Sequence, residues 1–268
     1  MVRIITWNIN SVRIRIPIIE KVCELIKPDV ICLQETKVVN DAFPRKSFEA
    51  LGFHYQMING IPAYNGTAIL SKVPFVHSDF MNFCDKEDGR HCSVTLDNGI
   101  HIHNYYVPAG GDIPNPNENI KFRHKLDFLY SLQNKWKLRK DTFSEPVVLL
   151  GDFNIAPLET DVWSHKQLLN VVSHTPIEVE NLIKWQSTHG WIDTLRYFIP
   201  PEEKLYSWWS YRAKDHLKSN RGRRLDHIWA SPFLEKALTN AFIFPDTRSW
   251  EKTSDHVPVI LDIDEKLI

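Results

Sequence analysis

No apolar run in this 268-residue sequence exceeds four residues, and 147–150 is one of that length. A helix that crosses a bilayer needs about 20 apolar residues in a row, so no membrane span is expected. Cysteine is scarce. Cys23, Cys32, Cys84 and Cys92 show no CxxC spacing and fall mostly in apolar stretches. This excludes a zinc ribbon or a thiol-exchange motif and points to buried free thiols in a reducing cytoplasm. An excess of either charge is also absent: 32 Lys and Arg face 33 Asp and Glu, a net charge of −1. A polyanion is therefore not held by bulk charge, though a local basic face stays open. The start has no basic stretch leading into an apolar core. Residues 2–7 read at once as a strand, so no secretory leader is expected. Low-complexity tracts and Gly/Ser linkers are missing, and one domain over 1–268 is the expected organisation.

What is present is a steady alternation of strand-like and helix-like stretches. Strands are expected at 4–8, 30–34, 66–71, 75–80, 92–97, 101–107, 146–150, 225–230, 241–244 and 257–262. Asp97-Asn98-Gly99 signals a hairpin. Helices are expected at 13–27, 43–51, 119–140 and 178–187, the third with Phe122, Leu126, Leu129, Leu132 and Trp136 along one face. Hairpins exclude a purely parallel doubly wound sheet. An α/β fold of sheets packed together with helices outside is expected. Each half runs strand, helix, strand, hairpins, helix, strand, as a diverged duplication would.

The notable polar residues sit just past apolar strands. Asn8 follows 4–7, Glu35 follows 30–34, Tyr106 closes 101–105, Asp152 and Asn154 follow 147–150, Asp226 opens at Leu225, and Ser254-Asp255-His256 precedes 257–261. Taken singly, each fits a cap, a turn or a surface pair, including Glu35 with Lys37. Together they form the oxygen-rich ligand set of a hard divalent cation plus a His–carboxylate pair, all on one sheet rim. No Cys or Ser stands in a nucleophile setting, so direct attack by water is the simpler chemistry.

Trp7-Asn8, Leu33-Gln34-Glu35-Thr36-Lys37, Gly151-Asp152-Phe153-Asn154, Arg224-Leu225-Asp226-His227 and Ser254-Asp255-His256 resemble the exonuclease III family of abasic-site endonucleases, in the endonuclease/exonuclease/phosphatase superfamily. The motifs keep family order over nearly the whole chain. The resemblance implies a DNase I-like four-layer sandwich of two mixed β-sheets flanked by helices. It implies a Mg²⁺-dependent phosphodiesterase, with Mn²⁺ as a substitute, that cuts DNA 5′ to an abasic site and trims or unblocks 3′ ends. Glu35 would be the main metal ligand with Asn8 and Asp255 beside it. Asp152 would orient or deprotonate water with help from Asn154. His256 would touch the scissile phosphate, with Asp226 setting its tautomer, and Tyr106 would reach phosphate or metal-side oxygens. A second metal near Asp152, Asn154 and Asp255 stays open as an alternative to Asp152 as base. A relative acting on lipid or inositol phosphates is the competing enzyme reading, and a non-catalytic DNA-binding module the third.

Residues 212–224 hold Arg212, Lys214, Lys218, Arg221, Arg223 and Arg224 against Asp215, just after Tyr206, Trp208, Trp209 and Tyr211. Cations beside aromatics suit phosphate contacts next to a stacking surface. One of Trp208 and Trp209 is expected in the core. The resemblance makes Trp208 and Leu225 walls of a pocket for a flipped-out abasic sugar, with Arg212, Arg223 and Arg224 binding DNA. Arg223 stands where many relatives carry Trp or Leu, and Ala109 where many carry a polar residue. Trp191-Ile192-Asp193-Thr194 and Arg196 also match the DNA-repair branch. His165 and His174 are expected on the surface. Double-stranded DNA with abasic sites or blocked 3′ ends is the expected partner, and a cytoplasmic monomer the expected form.

Overall fold

The computed structural model describes residues 1–139, 144–212 and 215–268. The first half of the chain runs β1 (Val2–Asn8), α1 (Ile16–Ile26), β2 (Val30–Gln34), α2 (Arg45–Ala50), β3 (Tyr55–Asn59), β4 (Thr67–Ser71), β5 (Phe75–Asp79), β6 (His91–Leu96), β7 (His101–Tyr106) and α3 (Ile120–Lys137). The second half runs β8 (Val147–Asp152), α4 (His165–Leu168), α5 (Pro176–Thr188), β9 (Ile192–Asp193), α6 (Thr194–Phe198), β10 (Trp208–Trp209), α7 (His216–Ser219), β11 (Gly222–Arg223), β12 (Asp226–Ala230), β13 (Leu238–Ile243) and β14 (Val259–Ile263).

Two six-stranded sheets result, ordered β13-β14-β1-β2-β4-β3 and β5-β6-β7-β8-β12-β9. The two central strands of each are parallel, β1 with β2 and β7 with β8. Their neighbours are antiparallel. Within β2 and β8 the runs 30–33 and 147–150 are wholly apolar because both of their faces are covered. Val148 and Leu150 join Ile4, Val30 and Cys32 of the facing sheet in the inner core. Val147 and Leu149 pack outward with Leu129, Leu132 and Trp136 of α3 and with Leu182 and Trp185 of α5. Ile5, Ile31 and Leu33 pack with Ile19 and Val22 of α1 and Phe48 of α2. The order helix–sheet–sheet–helix is the expected four-layer sandwich. Near the rim the sheets are also hydrogen-bonded: Gln34 Nε2 donates to Asn104 Oδ1 at 2.7 Å, and Asn104 Nδ2 donates to the Leu33 carbonyl at 2.9 Å.

Several boundaries differ from the sequence pattern. Residues 13–15 form a 3₁₀ turn, and α1 begins only at Ile16, with Pro17 in the first turn where its missing N–H costs nothing. The apolar pattern does not announce β3, an outer strand that buries only Ile58 fully. Helix α5 begins at Pro176, two residues before the expected start, because Thr175 and Glu178 form a capping box. Helix α3 ends at Lys137, and the expected end at Lys140 lies outside the described residues. Phe122, Leu129, Leu132 and Trp136 of its expected face are buried, and that face is wider than expected on the side of Lys125. Lys125 and Phe128 are buried, whereas Leu126 is half-buried. The cause is the ion pair of Lys125 with Glu178 of α5, in which Lys125 also donates to the Asn154 carbonyl at 2.8 Å. Cys23, Cys32 and Cys92 are buried and Cys84 is half-buried, all as free thiols. Among the described residues no helix is long and apolar enough to cross a membrane.

Arg224 is fully buried. Its Nε and Nη2 both reach Asp161 at 2.8 Å, and its Nη1 reaches Asp193 at 2.7 Å. Arg196 pairs with the same Asp161. Removing one partner of a buried ion network strands the others in a low-dielectric interior. Asp161→Ala is therefore expected to lose about 3–5 kcal/mol of unfolding free energy in urea titration. A loss below about 1 kcal/mol would show that the network does not anchor the segment leading into β12.

Candidate active site

Parallel pairing at the centre of both sheets sends the ends of β1, β2, β7 and β8 to one rim. Asn8 ends β1, Glu35 follows β2, Tyr106 ends β7 and Asp152 ends β8. Strand β12 is antiparallel to β8, so its first residue, Asp226, pairs with Asp152. The 254–256 segment is fastened to β1 on two sides. Ser254 Oγ donates to the Asn8 carbonyl at 2.6 Å, and Trp7 Nε1 donates to the His256 carbonyl at 2.9 Å. Gly151 has φ +136°, and a Cβ there would lie 1.9 Å from the Tyr105 carbonyl oxygen. Only glycine lets β8 deliver Asp152 this close to β7. Glu35 and Asn154 adopt φ +51° and +54°, a left-handed backbone that turns both out of their strands at some cost in strain.

The floor of the site is a chain of charges. His256 Nδ1 lies 2.8 Å from Asp226 Oδ2, and His256 Nε2 lies 3.6 Å from Asp152 Oδ2. Asp226 Oδ2 also accepts the Ser207 hydroxyl at 2.6 Å. Burial alone would lower the His256 pKa, but Asp226 and Asp152 override it and push it up to about 10. The ring is thus an imidazolium at neutral pH. Burial raises the Asp152 pKa to about 7, with Asp226 and Glu35 adding to the effect against the pull of His256. Asp152 is oriented by the Asn154 N–H at 2.9 Å and by Asn8 Nδ2 at 2.8 Å.

Beside this chain stands Glu35. Tyr106 OH donates to its Oε1 at 2.6 Å, Asn8 Nδ2 donates to the same oxygen at 3.1 Å, and Lys37 pairs with Oε2 at 2.8 Å. Burial works against the carboxylate, but these three donors outweigh it and lower its pKa. Burial and the Glu35 charge hold the Tyr106 pKa well above its usual value, so its proton stays on. Tyr106 therefore positions Glu35; of the expected contacts, with phosphate or with metal-side oxygens, the structure shows the hydroxyl on the Glu35 carboxylate. Lys37 also donates to Asn10 Oδ1 at 2.6 Å, and Asn10 Nδ2 reaches Asp255 Oδ1 at 3.3 Å. Trp208 Nε1 donates to the other Asp255 oxygen at 2.9 Å. The Glu35–Lys37 pair raised by the sequence exists, but against the cleft. An ammonium between Glu35 and Asn10 marks a place whose field favours a cation, and the Glu35 and Asp255 oxygens suit a hard one. Asn8 is a correction: its Oδ1 accepts the Asn10 N–H at 3.1 Å, which turns the amide nitrogen toward the carboxylates. It donates to Glu35 and Asp152 and is not presented as a metal ligand. Asp152, Asp226 and His256 also bring ligand atoms within 4.8 Å of one another. There His256 Nδ1 is already bonded to Asp226, so the group is an ion-pair chain.

A cleft of about 560 Å³ opens over both groups. Trp208 and Leu225 line it, as do Arg212 and Arg223. Trp209 is the core member of the Trp pair: it packs on Tyr206 and its Nε1 donates to Asn220. Arg224 corrects a second expectation, because its guanidinium is locked under the site by Asp161 and Asp193 and cannot reach substrate. His174 corrects a third. It is buried, with Nδ1 2.6 Å from the Ala156 carbonyl oxygen and Nε2 2.8 Å from His165 Nδ1. Lys214 lies outside the described residues. The sequence did not single out Asn10, Ser207, Asp161 or the cleft-lining residues 171–173. Asn10 stands two residues past Asn8 in Asn-Ile-Asn, the one local signal among them.

Residues 5–256 match the model of the endonuclease/exonuclease/phosphatase family. Exodeoxyribonuclease III of Haemophilus influenzae is 31% identical over 96% of this chain and 98% of its own. The solved structure of an AP endonuclease from Archaeoglobus fulgidus superposes with a TM-score of 0.90 at 32% identity, over 98% of this chain and 100% of that one. A 3′ phosphatase, NExo, from Neisseria, solved with a product DNA hairpin, gives 0.89 at 28% identity over 98% and 100%. The family match, with the Haemophilus sequence and the Archaeoglobus structure each above 30% identity over nearly full length, leaves one assignment: the chain belongs to the endonuclease/exonuclease/phosphatase family, on its exodeoxyribonuclease III branch.

Proposed function

We propose that this chain, acting as one domain over 1–268, is a metal-dependent DNA phosphodiesterase of base excision repair. It cuts 5′ to an abasic site to leave a 3′-hydroxyl and acts on 3′ ends as a 3′-to-5′ exonuclease and 3′-phosphodiesterase. The observation that carries this reading is the His256 imidazolium held between Asp226 and Asp152 on the floor of a cleft walled by Trp208 and Leu225. The names of the Haemophilus, Archaeoglobus and Neisseria relatives support DNA as substrate. The lipid or inositol phosphate reading gains no support from them. The working form is a cytoplasmic monomer with Mg²⁺, replaceable by Mn²⁺, on double-stranded DNA carrying abasic sites or blocked 3′ ends.

A phosphodiester is an anion, so a nucleophile approaches it against negative charge. Glu35 and Asp255 would hold the metal, which when bound supplies Lewis-acid polarisation of a phosphate oxygen and offsets charge on the leaving 3′-oxygen. His256 Nε2–H faces the cleft side of the ion pair and donates to a non-bridging phosphate oxygen. Asp226 keeps the proton on Nδ1, so the ring cannot turn into an acceptor there. Asp152, with its pKa near neutrality, takes the proton of the attacking water while Asn8 and the Asn154 N–H hold its oxygens. Asn154 is itself held by its Nδ2 bond to the Val107 carbonyl at 2.9 Å, and its remaining oxygen serves the water, or a second metal shared with Asp152.

An end-labelled duplex with one tetrahydrofuran abasic mimic is expected to be cut once, 5′ to the mimic, with Mg²⁺ and not with EDTA. Glu35→Ala and Asp152→Asn are each expected to lower kcat by about 10³-fold, within the range for one general base or charge stabiliser. A wild-type rate for Glu35→Ala at limiting Mg²⁺ would remove Glu35 from the metal site. Trp208→Ala is expected to reduce the preference for the abasic over the intact duplex by about tenfold, the scale of one lost stacking wall. Asp226→Asn is expected to lower the His256 pKa by at least one unit, read from the ring proton resonances across pH 6–11. Because the folded-state value is raised, the pair stabilises the protein fully below the ordinary histidine value of 6.5 and loses that contribution as pH rises through about 10. An unshifted His256 titration in Asp226→Asn would refute the charge-holding role.

A further inference from the structure

Arg223 is one of two arginines that line the cleft, with Arg212. Its guanidinium lies over the Trp208 ring, 5.4 Å from the centroid, and its Nη1 donates to the Val172 carbonyl at 3.0 Å and the Ser173 hydroxyl at 2.7 Å. These contacts are all neutral. Among the described residues no carboxylate lies within ion-pair distance of Arg223, and its buried Nε has no hydrogen-bond partner. Arg196 and Arg224, by contrast, share Asp161. The carboxylate whose charge reaches Arg223, Glu178, is already paired with Lys125 and bonded to Ser173 and Thr175, and a largely buried guanidinium with no anion of its own is costly unless one arrives with the ligand. With Nη1 held by Val172 and Ser173 and the Trp208 ring against the guanidinium, Nη2 is the nitrogen left to pair with an oxyanion, and little of its freedom is left to lose.

We propose that Arg223 determines specificity by pairing with a terminal oxyanion on the group that fills the Trp208–Leu225 pocket, so that small anionic 3′-blocking groups are preferred over neutral ones. The inference rests on the phosphodiesterase reading above. The pocket holds whatever is esterified to the scissile phosphate opposite the leaving 3′-oxygen. A neutral sugar or alkyl group there offers Arg223 no charge, whereas a carboxylate or a further phosphate does. The chemistry of hydrolysis is unchanged. Water adds to phosphorus, the bond from phosphorus to the DNA 3′-oxygen breaks, that oxygen takes a proton, and the blocking group leaves as its phosphate monoester. The reaction class that supplies such a substrate is oxidative breakage of the deoxyribose, which leaves carboxylated fragments on 3′ ends.

The test compares kcat/KM on one duplex bearing either a 3′-phosphoglycolate end or its neutral 3′-phospho-hydroxyethyl analogue, with a 3′-phospho-(2-phosphoethyl) end, whose second phosphate replaces the carboxylate, as a third arm to separate carboxylate from phosphate recognition. Wild type is expected to favour the glycolate end over the neutral one by about 10- to 100-fold, the scale of a hydrogen bond to a charged group, with the difference carried mainly in KM. Arg223→Gln is expected to bring that ratio to within about threefold of one, and Arg223→Lys to leave it between the two. Each ratio is measured on one enzyme preparation, so partial misfolding cancels. A wild-type ratio near one, or a ratio unaltered in Arg223→Gln, overturns the assignment of Arg223 while leaving the nuclease reading in place. A wild type that cuts none of the three ends overturns both.

Discussion

His256 between Asp226 and Asp152 is the interaction on which the site depends. Three charged groups share one dry rim, and two of them carry the same sign. Without the imidazolium, Asp152 and Asp226 would face each other as paired residues of adjacent strands, and one of them would have to protonate. With it, the carboxylates keep the ring charged, and the ring keeps the carboxylates tolerable. The same arrangement leaves Asp152 close to neutrality in its proton affinity, which suits the general-base role proposed for it. Stability and chemistry are here set by one balance of burial against charge.

The rest of the fold serves to hold that balance in place. Parallel strands at the centre of both sheets put four strand ends on one rim, and rigid strand ends are better anchors than loops. Gly151 allows β8 to run against Tyr105. The Gln34–Asn104 bonds keep the sheets in register below the site. Further back, the Arg224–Asp161–Arg196 network and the Lys125–Glu178 pair brace the two segments that carry Leu225, Asp226 and Asn154. Residues matching the DNA-repair branch, such as Asp193, Arg196 and Arg224, thus support the site from beneath.

Much of this was legible in the chain because the signals are local. The run 30–34 coincides with β2, and its apolar residues already imply cover on both faces. Asp97-Asn98-Gly99 marked the β6–β7 hairpin. Glu35, Asp152, Asp226, Asp255 and His256 were each visible as polar residues at the ends of apolar strands. What escaped depended on a partner far away in sequence. The burial of Lys125 on α3 turned on Glu178, 53 residues away. His174 looked like a surface residue until Ala156 and His165 enclosed it. Asn8 looked like an oxygen ligand until the Asn10 N–H took its oxygen.

The sequence by itself determined the set of side chains, the alternation of elements that stacks them in four layers, and the strand ends that carry the chemistry. These follow from hydrophobic period, turn residues and motif order, all of which act over a few residues. Only the tertiary structure decided which groups became charges, donors or walls. It made Arg224 a buried strut and left its neighbour Arg223 in the cleft without an anion. It also made Tyr106 a donor to Glu35. The physical reason is that protonation, amide orientation and ion pairing depend on burial and on neighbours brought in from other strands, and neither is written in the order of residues along the chain.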